Sequence, residues 1–169
     1  ANSAQGGPPD LELPPITKGL AKAVFPETFG QLREGKSSEN IDDGADSMMV
    51  AISMAKQAVK TGTNLVVGTP HQLGVNTRIT SDAIRNGVAL LQGKIDSENI
   101  ELTVLPGADV RIDPELPALL EQGKVLTLAD RGKHVLLELP HDTYYPLDQL
   151  LKSLRKQGLI GILSHPERN

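Results

Sequence analysis

The chain has 169 residues and a net charge of −4, enough for one domain or part of a larger one, with no basic stripe or aromatic platform of the kind nucleic acid requires. It contains no cysteine, which excludes disulfides, thiolate metal sites and hydrolysis through a cysteinyl-phosphate, and with no Trp its core must come from Leu, Ile, Val, Ala and Met. No apolar run approaches the roughly 18–20 residues that cross a bilayer, and the first residues lack a charged-then-apolar leader pattern, so no membrane insertion and a cytoplasmic location are expected.

Residues 1–40 differ in character from the rest and are read as a separate, atypical segment. The stretch to Pro15 is rich in Gly and Pro, with Pro8-Pro9 and Pro14-Pro15, and reads as extended chain. Residues 16–24 fit a short helix that ends before Pro26. From Ile41 to the last residue the pattern is regular. Asp46 or Ser47 can cap a helix whose apolar positions Met48, Ile52, Ala55 and Val59 share one face, with Gly62 as its stop. Met48, Met49 and Met54 are expected in the core of that helix.

A strand is predicted over 64–68, then a helix from Thr80 or Ser81 with Ile84, Val88, Leu91 and Ile95 on one face. Strand 101–105, a short helix near 115–122, strand 134–139, a helix carrying Leu147, Leu150, Leu151 and Leu154, and strand 159–163 complete the series. Strands alternating with amphipathic helices imply βαβ units and a parallel sheet. The apolar runs Leu65-Val66-Val67 and Val135-Leu136-Leu137 suit strands buried on both faces. In a (β/α) barrel the C-terminal strand ends share one mouth, where active sites lie. An open doubly wound sheet is the rival, but a Gly-rich phosphate loop after the first strand is missing.

Each strand-like run delivers one ligand-type residue at that end: His71 after 64–68, Asp109 after 101–105, Glu138 at the end of 134–139 and His165 after 159–163. These are hard or borderline donors, and Asp42-Asp43 can add a carboxylate. The mixed set suits Mn²⁺, Fe or Zn²⁺. Two or three such ions bound to a phosphate ester would generate hydroxide at neutral pH, giving hydrolysis without a protein nucleophile.

Piece by piece, plainer readings exist. A lone His after a strand is more often a hydrogen-bonding residue than a ligand, Asp42-Asp43-Gly44 alone is a turn, and Asp109 alone can accept backbone hydrogen bonds. Glu138 is the exception, because a carboxylate inside an apolar run is costly unless paired or metal-bound. Arg111 and Arg168 read most simply as surface salt-bridge residues, and His134 and His141 as structural or exposed.

Taken together, the segments Ile41-Asp-Asp-Gly-Ala45, Thr69-Pro-His71, Leu105-Pro-Gly-Ala-Asp-Val-Arg111, Leu126-Thr-Leu-Ala-Asp130, Leu136-Leu-Glu-Leu-Pro140 and His165-Pro-Glu-Arg168 resemble one family. It is the bacterial protein-tyrosine phosphatases of the polymerase-and-histidinol-phosphatase (PHP) superfamily, regulators of capsule and exopolysaccharide synthesis. The resemblance spans 41–169. It implies a distorted (β/α)₇ TIM-like barrel, incomplete in this chain, with up to three divalent ions, usually Mn²⁺. It implies phosphotyrosine on a bacterial tyrosine autokinase as substrate. By this resemblance Asp43, His71, Glu138 and His165 match metal ligands, Asp109 stands where the family has a ligand Glu, and Arg168 matches a phosphate-binding arginine. Asp43, His71 and His165 would then carry the reaction.

The sequence departs from that pattern at its start. Where the family opens with His-x-His, Glu34 and Lys36 stand at the corresponding spacing. The family's later Asp-x-His and second phosphate-binding arginine would follow Asn169, so the chain reads as the first two-thirds of such a phosphatase. Open strand edges then lead to an expectation of self-association. Two other readings are a non-catalytic regulatory relative, and a hydrolase of small phosphate monoesters.

Overall fold

The structure is a computed structural model that describes residues 48–74, 79–140 and 144–166. The expectations placed on 1–47, Asp43 among them, lie outside the described residues, as do those for His141 and Arg168.

Helix α1 (Met48–Lys60) buries Ile52 and Ala55 and packs Met48 and Val59 partly against the core. Met49 and Met54 are 77 % and 43 % exposed, contrary to the expectation of a methionine core. The reason is angular: at 100° per residue, positions 49 and 54 fall off the stripe set by 48, 52, 55 and 59. Helix α2 (Ser81–Ser97) follows the expected pattern throughout. Thr80 caps it, its side chain accepting from the Ala83 N–H at 3.1 Å, and Ile84, Val88, Leu91 and Ile95 are all buried. Helices α3 (Leu116–Glu121) and α4 (Leu147–Lys156) add Leu116, Leu150 and Leu154 to the same core.

The strands are all parallel. β1 (Leu65–Gly68) pairs with β3 (Thr103–Pro106), and β2 (His71–Gln72) pairs with β4 (Asp109–Arg111). The register is the same in both ladders, Leu65 opposite Thr103 and His71 opposite Asp109, so β1/β2 and β3/β4 are two long strands with a shared interruption. Thr69-Pro70 and Gly107-Ala108 make that break. Pro70 has no N–H to donate, but its carbonyl accepts from the Asp109 N–H at 3.0 Å and the ladder resumes. Gly107 is required by close approach: a Cβ there would lie 2.8 Å from Val67 Cγ1 and 3.3 Å from the Gly68 carbonyl oxygen.

β5 (His134–Glu138) and β6 (Ile160–Leu163) extend the sheet in the order β2-β4-β5-β6. Neighbours in space are therefore successive in the chain. One face is packed against the helices, with Val66, Val104, Val110, Val135 and Leu137 buried, each such side chain contributing about 1.5–3 kcal/mol. The other face carries the alternate residues, among them His71, Asp109, Arg111, Leu136 and Glu138. Ile160 and Ile162 of β6 stay substantially exposed.

A 3-10 turn over Leu128–Asp130 packs on β1, β3 and β5. Ala129 and Asp130 both have positive φ, a conformation that costs about 1 kcal/mol or more per non-glycine residue. Arg85 grips the Asp130 carboxylate with two nitrogens at 2.8 and 3.3 Å, and the hydrogen bond to Asp130 holds the guanidinium pKa above its ordinary value.

Candidate active site

Parallel register decides which side chains share this site. His71 and Asp109 are partners across the β2–β4 ladder, and Arg111 and Glu138 are partners across β4–β5. Both pairs lie on one sheet face, two residues apart along β4. His71 and Asp109 thus sit within strands that continue past the Pro and Gly breaks, where the sequence pattern placed them in loops after the strands. Glu138 is the last residue of β5. His165 follows β6 in a bend that begins at Ser164, whose N–H donates to the Leu137 carbonyl at 2.9 Å.

Two donor pairs result. His71 Nδ1 lies 3.1 Å from Glu138 Oε2. His165 Nε2 lies 3.6 Å from Asp109 Oδ2, an ion-pair distance rather than a hydrogen bond. Ser164 Oγ is a further 3.3 Å neighbour of the same imidazole nitrogen. Asp109 is completely buried, and a carboxylate in that position is stable only with a cationic or hydrogen-bonding partner. The structure therefore gathers His71, Asp109, Glu138 and His165. Asp43 and Arg168, the other expected site residues, are outside the described residues.

Arg111 does not take the surface role expected for it. Its Nη1 donates to the Leu139 carbonyl at 2.9 Å and lies 3.3 Å from Glu138 Oε1. The signal that could have found it is the period-2 spacing Asp109-x-Arg111, which puts both on one face. Gln72 was also missed. It is buried on the helix side, next to His71, and its amide satisfies three backbone groups: it donates to the Ile79 and Lys124 carbonyls and accepts from the Leu126 N–H. This fixes β2 against the segments leading into α2 and the 3-10 turn. Asp130, part of a motif that carried the resemblance, is engaged with Arg85 instead of the donor pairs.

Two imidazoles and two carboxylates fit a hard or borderline divalent cation in donor type. Among the described residues no three of them are spaced to enclose an ion by themselves, so the fit is one of chemistry and pairing.

The family model for capsular polysaccharide synthesis, CpsB/CapC, matches residues 39–169. The chain belongs to the CpsB/CapC family. Over 131 residues it is 35 % identical to the tyrosine-protein phosphatase YwqE of Bacillus subtilis, a match covering 76 % of this chain and 51 % of YwqE. It is 29 % identical to CapC of Staphylococcus aureus, a tyrosine-protein phosphatase by its provisional name, over 77 % of this chain and 51 % of CapC. A solved chain from the crystal structures of YwqE and of CpsB from Streptococcus pneumoniae, described as unique metal-dependent tyrosine phosphatases, superposes with a TM-score of 0.71 at 35 % identity. That match covers 76 % of this chain and 52 % of the solved one. The chain thus spans about half the length of the CpsB/CapC relatives it matches, less than the two-thirds expected from the sequence.

Proposed function

We propose that this chain carries part of the active site of a metal-dependent protein-tyrosine phosphatase, acting on phosphotyrosine of a bacterial tyrosine kinase that controls capsule or exopolysaccharide synthesis. The observation that carries this reading is the pair of His–carboxylate contacts at one sheet face, His71 with Glu138 and His165, from the bend after β6, with Asp109. Sequential parallel strands support the finer reading of the fold as a segment of a distorted (β/α)₇ barrel of the PHP superfamily. On that reading 41–169 is the barrel portion and 1–40 a separate segment.

His71, Asp109, Glu138 and His165, with Asp43, would hold the divalent ions, Mn²⁺ first among them and Fe or Zn²⁺ as alternatives. Bound there, the ions supply Lewis-acid polarisation of the phosphoryl oxygen and lower the pKa of water. The protein's own part is positional. Buried Asp109 fixes the His165 side of the site, Glu138 fixes the His71 side, and Arg168 would hold the phosphate by charge-assisted hydrogen bonds. A cytoplasmic location fits a kinase substrate of this kind, and no described helix is long and apolar enough to cross a membrane.

The test is turnover of a phosphotyrosyl peptide with Mn²⁺, compared with small phosphate monoesters, for the wild-type chain and the double variant H71A/H165A. Loss of turnover in the variant supports the proposal, and full turnover in it contradicts it.

A second reading, a non-catalytic regulatory module on the same scaffold, draws on Glu34 and Lys36 at the spacing of the family's His-x-His. A lysine there would oppose a bound cation. Absence of both metal and turnover in the purified chain would favour it.

A further inference from the structure

We infer that Arg111 is a positioning residue for the site, holding the Glu138 carboxylate in the orientation that metal binding requires; this rests on the metal-dependent reading above. Arg111 and Glu138 are register partners on adjacent strands β4 and β5 and share a sheet face. Arg111 Nη1 bridges Glu138 Oε1 at 3.3 Å and the Leu139 carbonyl at 2.9 Å, so the guanidinium is tied to the backbone of the strand end that carries the carboxylate. The other carboxylate oxygen, Oε2, faces His71 Nδ1 at 3.1 Å. Glu138 is thereby oriented from both sides, its Oε1 toward Arg111 and its Oε2 toward the donor cluster.

The guanidinium is itself held in place. The Leu73-Gly74 turn, with φ of 68° and 63°, lies over its aliphatic stem, and a Cβ on Gly74 would come within 3.0 Å of Arg111 Cγ. The turn directly follows β2, which carries His71. One arginine therefore links the backbone after His71, the strand bearing Asp109 and the carboxylate of Glu138. Partners that orient a metal-ligating carboxylate are worth about 10–100-fold in metal affinity. Lysine keeps the charge on a stem of different shape and reach, so it replaces the bridge only in part.

The experiment is Mn²⁺ binding by isothermal titration calorimetry, on the wild-type chain and on R111M, R111K, R111Q and E138Q, each checked for folding by circular dichroism and thermal melting. The expected result is about 10–100-fold weaker Mn²⁺ binding for R111M and R111Q, a smaller loss for R111K, and a native spectrum in all three. A merely structural arginine would lower the melting temperature and leave Mn²⁺ affinity unchanged in the folded protein. Wild-type affinity in folded R111M or R111Q overturns the inference. E138Q separates this from failure of the metal reading: wild-type affinity in E138Q as well means that Glu138 holds no metal and the site reading is wrong. If R111M does not fold, R111Q against R111K decides in the same way.

Discussion

His71 and Glu138 meet at 3.1 Å across β4, the strand that separates theirs in the sheet. The contact is diagonal. His71 is level with Asp109, and Glu138 is level with Arg111 two residues further along. A ligand-type carboxylate and imidazole from distant parts of the chain are thus brought together across β4, and His165, in the bend after β6, reaches Asp109 at 3.6 Å. The polar groups His71, Asp109, Arg111 and Glu138 thus share one face, while the helix-packed face is apolar apart from Gln72.

Gln72 is the anchor for that arrangement. Replacement by leucine keeps the approximate volume but leaves the Leu126 N–H and the Ile79 and Lys124 carbonyls without their side-chain partner. The Leu126 N–H bond is buried and the two carbonyl bonds are part-buried; an orphaned buried group costs about 1–3 kcal/mol, so Q72L should lose about 1–3 kcal/mol in urea unfolding. A change below about 0.5 kcal/mol, the size of an ordinary surface substitution, would remove Gln72 from the account.

Two glycines should respond in opposite directions. In G107A the new methyl meets a stiff β-branched Val67 and the Gly68 carbonyl, and overpacking of this kind costs about 1–3 kcal/mol. Gly93 lies in the exposed interior of α2 with nothing within 4 Å of a Cβ, so G93A should stabilise by about 0.5–1 kcal/mol. Thermal melts of the two variants check the pair, and destabilisation by both would show that α2 is misplaced.

Ile160, Ile162 and Leu163 leave an apolar, exposed surface on β6, which ends the sheet among the described residues. Exposed apolar edge strands pair with other chains. The 169-residue chain should self-associate in light scattering at micromolar concentration, and I162K should shift it toward monomer. A monodisperse wild-type monomer would contradict this.

The helices were legible because burial at 3.6-residue spacing leaves a stripe: Ile84, Val88, Leu91 and Ile95 name the buried face of α2 directly. The strand runs were legible because they are apolar. What the sequence concealed were the two strand continuations, β2 and β4, since the apolar runs stop at Gly68 and Leu105 while the ladder resumes beyond Pro70 and Gly107. The same break hid Arg111, whose role depends on a cross-strand partner in β5. His71, Asp109, Glu138 and His165 were visible as a set because each ligand-type residue stands at the same end of an apolar run. Their pairing, by contrast, depends on strand register and on the bend after β6, which spacing does not show. Met49 and Met54 show the converse error, hydrophobic type read as burial without regard to helix face.

The most direct test is whether His71 and His165 serve one metal site. Mn²⁺ titration monitored by electron paramagnetic resonance, on the wild-type chain, H71A and H165A, reports free and bound ion directly. Either single substitution is expected to weaken the same binding event by about 10-fold or more. Wild-type Mn²⁺ binding in both folded variants would contradict it.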